Sequence, residues 1–192
     1  MQKNYLLTPG PTPLPPLVLE AMSRPIIHHR TPQFQAILKE ATEGLRYVFQ
    51  TKNDVFILAS SGTGAMEASV INLLSPGDTV LVVQGGKFGE RWTEICKAYG
   101  INADVLDVKW GQAVDPSDIK DRLLGKPGIK AVFTTLCETS TGVVNDIAAI
   151  GRVVKDTSAV LVVDAISGLG AIDLKTDEWS CDMVVSGSQK GL

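Results

Sequence analysis

Cysteine is scarce in this chain, and no two cysteines are spaced to share a metal. Cys96, Cys137 and Cys181 stand far apart, and no C-x-x-C motif occurs among the 192 residues. An odd number of dispersed thiols disfavours a disulfide framework or a zinc site and is typical of reduced core cysteines. We therefore expect no bound metal and a reducing compartment, the cytoplasm.

Long apolar runs and an excess of charge of one sign are also missing. No window approaches the roughly 18 apolar residues of a membrane span, and the N-terminus becomes proline-rich before any signal-like apolar stretch. The formal net charge is only -3, whereas binding to nucleic acid or to an anionic membrane favours an excess of basic residues. These absences favour a soluble protein whose ligands are small molecules.

Internal repeats and interdomain linkers are absent too, and a hydrophobic content of 44% is enough for the core of one sizeable domain. Proline, by contrast, is concentrated near the start, in the run Thr-Pro-Gly-Pro-Thr-Pro-Leu-Pro-Pro at residues 8–16. Since proline lacks an N–H donor and fixes the backbone, this run is excluded from a helix interior or a central strand. We predict that residues 1–32 form an N-terminal extended arm and an entry segment, followed by one large domain, residues 33–192.

Helix-like and strand-like segments alternate through that domain. Apolar residues recur at helical period over 34–49. Further helices are predicted at 65–74, 88–99, from 115 onward and at 147–155, and strands at 55–59, 79–83, 103–108, 131–136, 160–163 and 183–185. Unbroken Val, Leu and Ile runs separated by helices are typical of a mostly parallel sheet covered on both faces, so the predicted fold class is α/β.

A glycine-containing loop, Ser-Gly-Thr-Gly-Ala at 61–65, joins a predicted strand to a helix. Glycine permits close backbone approach, and the free N–H groups at a helix N-terminus suit a phosphate. Taken alone, the loop is equally typical of an ordinary capped turn. The G-x-x-x-x-G-K-[ST] and G-x-G-x-x-G motifs are missing, which disfavours a mononucleotide but not another phosphate.

Two charged residues stand at the ends of the last two predicted strands. Asp164 ends an apolar run, where a lone buried carboxylate is costly unless a cation or donors face it. Lys190 lies in a Ser- and Gly-rich turn, where an amine is exposed beside the core as a possible nucleophile. Both residues also have a purely structural interpretation. Asp164 could cap a helix or form a salt bridge, and Lys190 could be a solvated surface lysine. With a phosphate loop at the same sheet edge, the pair suits pyridoxal phosphate.

Five segments together carry a family resemblance: Leu-Thr-Pro-Gly-Pro at 7–11, Ser-Gly-Thr-Gly-Ala-Met-Glu-Ala at 61–68, Glu-Thr-Ser-Thr-Gly at 138–142, Val-Asp-Ala at 163–165 and Ser-Gly-Ser-Gln-Lys at 186–190. In order and spacing they resemble class V aminotransferases, which are fold-type I pyridoxal phosphate enzymes, and most closely the alanine–glyoxylate and serine–glyoxylate (serine–pyruvate) group. The resemblance implies a three-layer α/β/α large domain around a mainly parallel, seven-stranded sheet, with pyridoxal 5′-phosphate as cofactor. The family's smaller C-terminal domain, which supplies the arginine for the substrate carboxylate, is expected outside these residues.

By position, the resemblance implies a role for each of several residues. Lys190 would bond to the cofactor aldehyde and later move the substrate Cα proton, while Asp164 would keep the ring nitrogen protonated. The other matches are phosphate ligands at Thr63, Gly64, Ala65 and Gln189, a stacking ring at Phe88, a hydroxyl near the phenolic oxygen at Thr139, and a substrate-side backbone position at Gly10. Relatives often have tryptophan at the Phe88 position and histidine at the Ala65 position.

The implied reaction is a ping-pong transfer of an amino group from alanine or serine to glyoxylate or pyruvate. A homodimer with an active site shared between subunits is the expected assembly. Alternatives stay open: another class V reaction, such as that of a cysteine desulfurase or a phosphonate transaminase, or a truncated noncatalytic module that binds cofactor or a partner subunit.

Overall fold

The computed structural model describes residues 6–192 as an α/β fold. Its helices are α1 (Pro16–Met22), α2 (Pro32–Phe49), α3 (Gly62–Leu73), α4 (Lys87–Ala98), α5 (Pro116–Gly125) and α6 (Ile147–Lys155). Its strands are β1 (Thr79–Gln84), β2 (Asn102–Asp107), β3 (Ile129–Thr135), β4 (Cys137–Glu138), β5 (Val143–Val144), β6 (Val160–Asp164) and β7 (Met183–Val185). Most of the predicted elements of the large domain are confirmed within a few residues.

Five strands form one sheet in the order β2-β1-β3-β6-β7, and every neighbouring pair is parallel. β4 and β5 pair antiparallel as a separate two-stranded hairpin. The chain returns from β2 to the other side of β1, which places a topological switch point between β1 and β3. In open parallel sheets, ligands bind beyond the strand C-termini near such a point.

The sheet residues alternate between two apolar clusters, one on each face. On one face, Val82 and Phe133 pack with Trp92 and Cys96 of α4 and with residues of α3. On the other, Leu81, Val132, Leu161 and Val163 pack with residues of α5 and α6, among them Ile119, Ile147, Ile150 and Val154. Each fully buried Leu or Phe contributes about 1.5–3 kcal/mol relative to exposure. The three-layer α/β/α arrangement predicted from the uninterrupted apolar strands is therefore confirmed.

Side chains cap several helix starts and so fix where the loops end. Ser61 accepts the N–H of Gly64 at α3, Asp115 accepts that of Ser117 at α5, and Asp146 accepts that of Ala149 at α6. Such caps satisfy N–H groups that have no partner within the helix. None of the helices found in residues 6–192 has the length and hydropathy needed to cross a bilayer.

The strand predicted at 55–59 is wrong. This segment has no strand assignment, and Phe56 is 81% exposed, Ile57 56% and Leu58 51%. An apolar run becomes a strand only where a neighbouring strand pairs with its backbone, and within residues 6–192 none does. The main sheet therefore has five strands among the described residues, not the seven that the resemblance implies.

The predicted arm and entry segment, residues 1–32, contain one helix that the sequence did not predict. Residues 16–22 form helix α1, because proline at the first helical position is already set for a helix and good helix formers follow it. The prolines of residues 8–15 do remain outside helices and strands. Residues 1–5 of the predicted arm lie outside the described residues.

Candidate active site

Four residues selected from the sequence come together at one edge of the sheet. Phe88 follows β1, Thr139 follows β3, Asp164 is the last residue of β6, and Lys190 follows β7. Since these strands are parallel neighbours in the order β1-β3-β6-β7, all four residues lie at the C-terminal edge. This edge is the part of the fold where a ligand is expected.

Asp164 is a buried carboxylate, only 4% exposed. Its Oδ1 accepts the backbone N–H of Ile166 at 2.8 Å, and within residues 6–192 no donor is hydrogen bonded to Oδ2. Burial raises the pKa of Asp164 to about 6; the Ile166 N–H opposes this, Glu138 adds to it, and Arg91 and Lys190 oppose it. The carboxylate thus has one free acceptor oxygen and an environment that favours a cationic partner.

Lys190 is half-buried and lies beneath the N-terminal arm. A β-carbon built on Gly10 would stand 2.6 Å from its Nζ, and the Thr12 hydroxyl donates to the carbonyl of Gln189 at 3.1 Å. The arm and the lysine turn are therefore held together, although they lie at opposite ends of the sequence. The side chain of Gln189 itself is exposed.

The loop from residue 60 to residue 64 wraps tightly around the start of α3. A β-carbon on Gly64 would lie 1.9 Å from the Ser60 hydroxyl, and one on Gly62 would lie 2.6 Å from Cδ1 of Ile166. Thr63, Gly64 and Ala65 lie in the first turn of the helix. The Gly64 N–H donates to the Ser61 hydroxyl and the Ala65 N–H to the Ser61 carbonyl, so the N–H groups of Gly62 and Thr63 are the ones without a partner in the helix. The turn after β7 is adjacent, with Gly187 close enough for its β-carbon to be 3.9 Å from Gly62.

Arg91, which the sequence analysis did not select, connects two of the predicted site residues. Its guanidinium donates to the Thr63 hydroxyl at 3.2 Å, and its Cζ lies 4.9 Å from the centre of the Phe88 ring. This cation–π contact occupies one face of the ring and leaves the other for a ligand. The signal was available in the sequence, because residues three apart on a helix are neighbours.

Glu138 is the second residue that the sequence analysis missed. It is 2% exposed and accepts hydrogen bonds from backbone N–H groups at the start of α4. Like Asp164, it directly follows an apolar run, so the same strand-end rule would have selected it. Its neighbour Thr139 forms a short hydroxyl–hydroxyl contact with Ser167.

The family model described as aminotransferase class-V matches residues 4–192. The chain belongs to this family. It is 50% identical, over 98% of its length, to the protein named soluble hydrogenase, small subunit, from Synechococcus sp. strain PCC 6716, and 40% identical, over 97%, to a serine–glyoxylate aminotransferase from Hyphomicrobium methylovorum. The crystal structure of an alanine–glyoxylate aminotransferase from Nostoc sp. superposes with a TM-score of 0.94 at 32% identity and covers the whole chain.

Each of these relatives is about twice as long as the chain. The chain covers 50% of the Synechococcus protein, 47% of the Hyphomicrobium enzyme and 51% of the Nostoc structure. The chain therefore spans about half the length of the curated relatives it matches.

The class-V aminotransferase family implies pyridoxal phosphate, and the residues at the sheet edge fit that group. The first turn of α3 is a helix N-terminus at this sheet edge, which suits a phosphate. The unpaired Oδ2 of the buried Asp164 suits a protonated ring nitrogen, and the half-buried Lys190 is placed for an aldehyde. Phosphate, ring and aldehyde of the cofactor thus each find a complementary group.

Proposed function

We propose that the complete protein is a pyridoxal phosphate-dependent aminotransferase that moves an amino group from a small amino acid, alanine or serine, to glyoxylate or pyruvate. One observation carries the proposal: Asp164 and Lys190, on adjacent parallel strands, stand at the same sheet edge as the first turn of α3. A buried carboxylate, an amine and a phosphate-binding turn are the three groups that this chemistry requires.

When bound, pyridoxal phosphate supplies an aldehyde that exchanges amines and a ring that accepts an electron pair. Lys190 Nζ would hold the aldehyde carbon in place, and its free amine would take the proton from the substrate Cα. Asp164 Oδ2 keeps the ring nitrogen protonated. A hydrogen bond to a charged group contributes about 1.5–3 kcal/mol.

The other predicted residues orient the cofactor. Thr63, Gly64 and Ala65 are the phosphate ligands in this proposal: the hydroxyl and N–H of Thr63 donate directly, and the Gly64 N–H would exchange its bond to the Ser61 hydroxyl for one to the phosphate. The exposed Gln189 adds a donor from the lysine turn. Phe88 presents the ring face not covered by Arg91, where offset stacking favours a planar ring. Thr139 and Gly10 lie toward the phenolic oxygen and the substrate, respectively.

The names of relatives support the proposed substrates. Alongside the serine–glyoxylate and alanine–glyoxylate aminotransferases, an L-aspartate–glyoxylate aminotransferase from Paracoccus denitrificans is 39% identical to this chain. Glyoxylate is common to these names and is therefore the acceptor that we place first. The amino donor differs among them, so alanine, serine and aspartate all belong in a donor panel.

A homodimer in the cytoplasm is part of the same proposal. The exposed apolar residues of α1, Leu17, Leu19 and Met22, together with Ile37 of α2, give an apolar surface suited to a second subunit. The three cysteines are free rather than disulfide-bonded, which fits a reducing compartment.

The decisive experiment uses the complete polypeptide with Lys190→Ala and, as a matched control, Lys109→Ala at an exposed lysine. After incubation with pyridoxal phosphate and borohydride reduction, peptide mass analysis should find the cofactor on Lys190 in the control and in the unchanged protein. Lys190→Ala should carry none there and should lose transamination. Labelling of a different lysine, or full activity in Lys190→Ala, would refute the assignment.

A donor and acceptor panel then tests the substrates. Alanine, serine and aspartate are each paired with glyoxylate, and serine and aspartate are also paired with pyruvate; glycine or alanine formation is measured. Release of sulfide from cysteine without amino transfer would replace the proposal with a desulfurase. Cofactor binding without turnover of any pair would support a noncatalytic module instead.

A further inference from the structure

Glu138 is surrounded by hydrogen-bond donors from two separate loops. Its Oε2 accepts the backbone N–H groups of Phe88 and Gly89, each at 3.1 Å. Its Oε1 accepts the N–H of Ser140 at 3.2 Å, the Ser140 hydroxyl at 2.7 Å and a longer contact from the Phe88 N–H at 3.3 Å. Glu138 is only 2% exposed, so its carboxylate is hydrogen bonded to protein donors in place of water.

These contacts supply a cap that helix α4 lacks locally. The residue before the helix is Gly86, which has no side chain, so no local side chain accepts the first N–H groups. A carboxylate at a helix N-terminus is stabilised by those free N–H groups and by the helix dipole. Glu138 provides that carboxylate from the end of strand β4, which ties the start of α4 to this strand.

The two loops fit closely enough that glycine is required between them. A β-carbon on Gly86 would lie 2.5 Å from Cγ of Glu138 and 2.4 Å from the Ser140 hydroxyl. That hydroxyl also accepts the N–H of Lys87 at 3.1 Å. The backbone on both sides of Phe88 is therefore fixed by groups that belong to the segment 138–140.

Phe88 is the residue whose orientation depends on this arrangement. Its backbone is held by Glu138, its ring is covered on one face by Arg91, and only the remaining face is left for a ligand. Glu138 also lies close enough to Asp164 to raise the pKa of that carboxyl group. Glu138 thus contacts the backbone of one candidate site residue, Phe88, and lies near another, Asp164, but it is not itself among the residues matched to the cofactor.

We propose that Glu138 is a positioning residue, which acts on cofactor affinity through the backbone of Phe88 by fixing the angle of its ring. The inference rests on the proposed function, since it assumes that pyridoxal phosphate stacks on Phe88. Glutamine cannot replace Glu138, because both carboxylate oxygens accept hydrogen bonds from N–H or O–H groups. The NH2 group of glutamine would place a donor against those donors at one of the two positions. Aspartate is shorter by one methylene and cannot reach both loops.

The test is a double-mutant cycle in the complete polypeptide, with Glu138→Gln, Phe88→Leu and the double variant. The dissociation constant for pyridoxal phosphate is measured by absorbance titration of each cofactor-free protein. Each single variant should weaken binding by about tenfold, as expected for loss of one aromatic stacking contact. The double variant should be weakened by about tenfold as well, because both changes remove the same contact.

Asp146→Ala is the matched control, since it removes a capping carboxylate from α6, away from the sheet edge. It should lower thermal stability yet leave the dissociation constant unchanged. If Glu138→Gln does not fold, Ser140→Ala removes one donor from Glu138 and one acceptor from Lys87. That variant should give a smaller loss of affinity, of about threefold, which again disappears in the Phe88→Leu background.

The outcomes separate this inference from the proposed function. Absence of pyridoxal phosphate binding by the unchanged protein refutes the proposed function and this inference with it. Binding by the unchanged protein together with multiplicative effects, about a hundredfold in the double variant, overturns the positioning role alone. A loss of affinity in Asp146→Ala equal to that in Glu138→Gln also overturns it, because the effect would then follow stability.

Discussion

Gly10 packs directly against the side chain of Lys190. A β-carbon at residue 10 would stand 2.6 Å from Nζ and 2.9 Å from both Cδ and Cε of the lysine. All three atoms lie at the far end of a flexible side chain, so a substitution at residue 10 displaces the lysine more readily than it unfolds the protein. The absence of a side chain at residue 10 therefore controls where the amine of Lys190 rests.

Gly10→Ala should consequently separate attachment of the cofactor from stability. We expect a nearly unchanged melting temperature, and attachment of pyridoxal phosphate to Lys190 that is about tenfold slower or worse, since a misplaced reacting group is costly. The rate is followed by absorbance after cofactor is added to the cofactor-free complete protein. Gly44→Ala is the control, because no atom lies within 4 Å of its built β-carbon and alanine favours a helix. Equal rates in both variants would contradict the prediction.

Asp164 should make stability of the cofactor-free protein fall as the pH rises. Burial raises its pKa from 3.8 to about 6, so the folded state holds the proton more tightly than the unfolded state. The stability that this proton contributes is complete below pH 4 and is lost as the pH rises through about 6, a change of about 3 kcal/mol. Urea unfolding at pH 4.5 and pH 7 should show this decline, and Asp164→Asn should lack it.

Asp115 provides the control of opposite sign. Hydrogen bonds from Ser117 lower the pKa of this exposed carboxyl group, so its contribution is present above pH 4 and is lost as the pH falls. Asp115→Asn should keep the decline in stability between pH 4.5 and pH 7. If Asp164→Asn shows the same pH dependence as the unchanged protein, burial does not perturb Asp164 as described.

Arg91 should matter for both its shape and its charge. Arg91→Lys keeps the positive charge but loses the planar group over Phe88 and the hydrogen-bond geometry to Thr63, so cofactor affinity should fall by several-fold, the equivalent of about 1 kcal/mol. Arg91→Met removes the charge as well and should raise the pKa of Asp164 further. Affinity titration and the pH dependence of unfolding measure the two effects separately.

Arg152→Lys is the matched control for Arg91, since Arg152 is exposed on α6. It should leave both cofactor affinity and the pH dependence unchanged. An affinity loss in Arg91→Lys no larger than in this control would show that the cation–π contact does not orient Phe88.

The cysteines should resist alkylation in the folded protein. Burial raises the pKa of Cys96 to about 11 and that of Cys181 to about 12. Burial followed by the charges of Glu138 and Asp164 raises the pKa of Cys137, which is less buried. Because the thiolate is the reactive form, iodoacetamide at pH 8 should modify Cys137 first and the other two only after unfolding. Fast native labelling of Cys96 would contradict its buried position.

The sequence predicted the sheet well because its strands are buried on both faces. β1 and β6 read as unbroken apolar runs, and that pattern requires cover on each side. The run at 55–58 has the same composition but stays exposed, since composition cannot show whether a backbone partner is present. Helix α1 was not predicted, because the proline run excludes a helix interior but not a helix that begins at its last proline, Pro16.

Candidate site residues were predictable where they follow an apolar strand. They were not predictable where their role depends on a contact between segments that are far apart in the sequence. Lys190 and Asp164 were found because each follows an apolar strand. Glu138 satisfies the same rule, but its function as a cap becomes visible only when α4 is seen to begin beside it. The proximity of Arg91 to Phe88 was predictable from helical spacing, but its contact with Thr63 required knowledge of which side of α4 faces the start of α3.

Strand β7 is three residues long and is the outer strand of the five-stranded sheet. It pairs with β6, where Asp164 lies one strand further in. A ligand attached to Lys190 and bonded to Asp164 would therefore connect the segment after β7 to the end of β6. Loss of that ligand should destabilise the edge strand β7 before the central strands. Amide hydrogen exchange along residues 183–185 should therefore be slower with the ligand bound than without it.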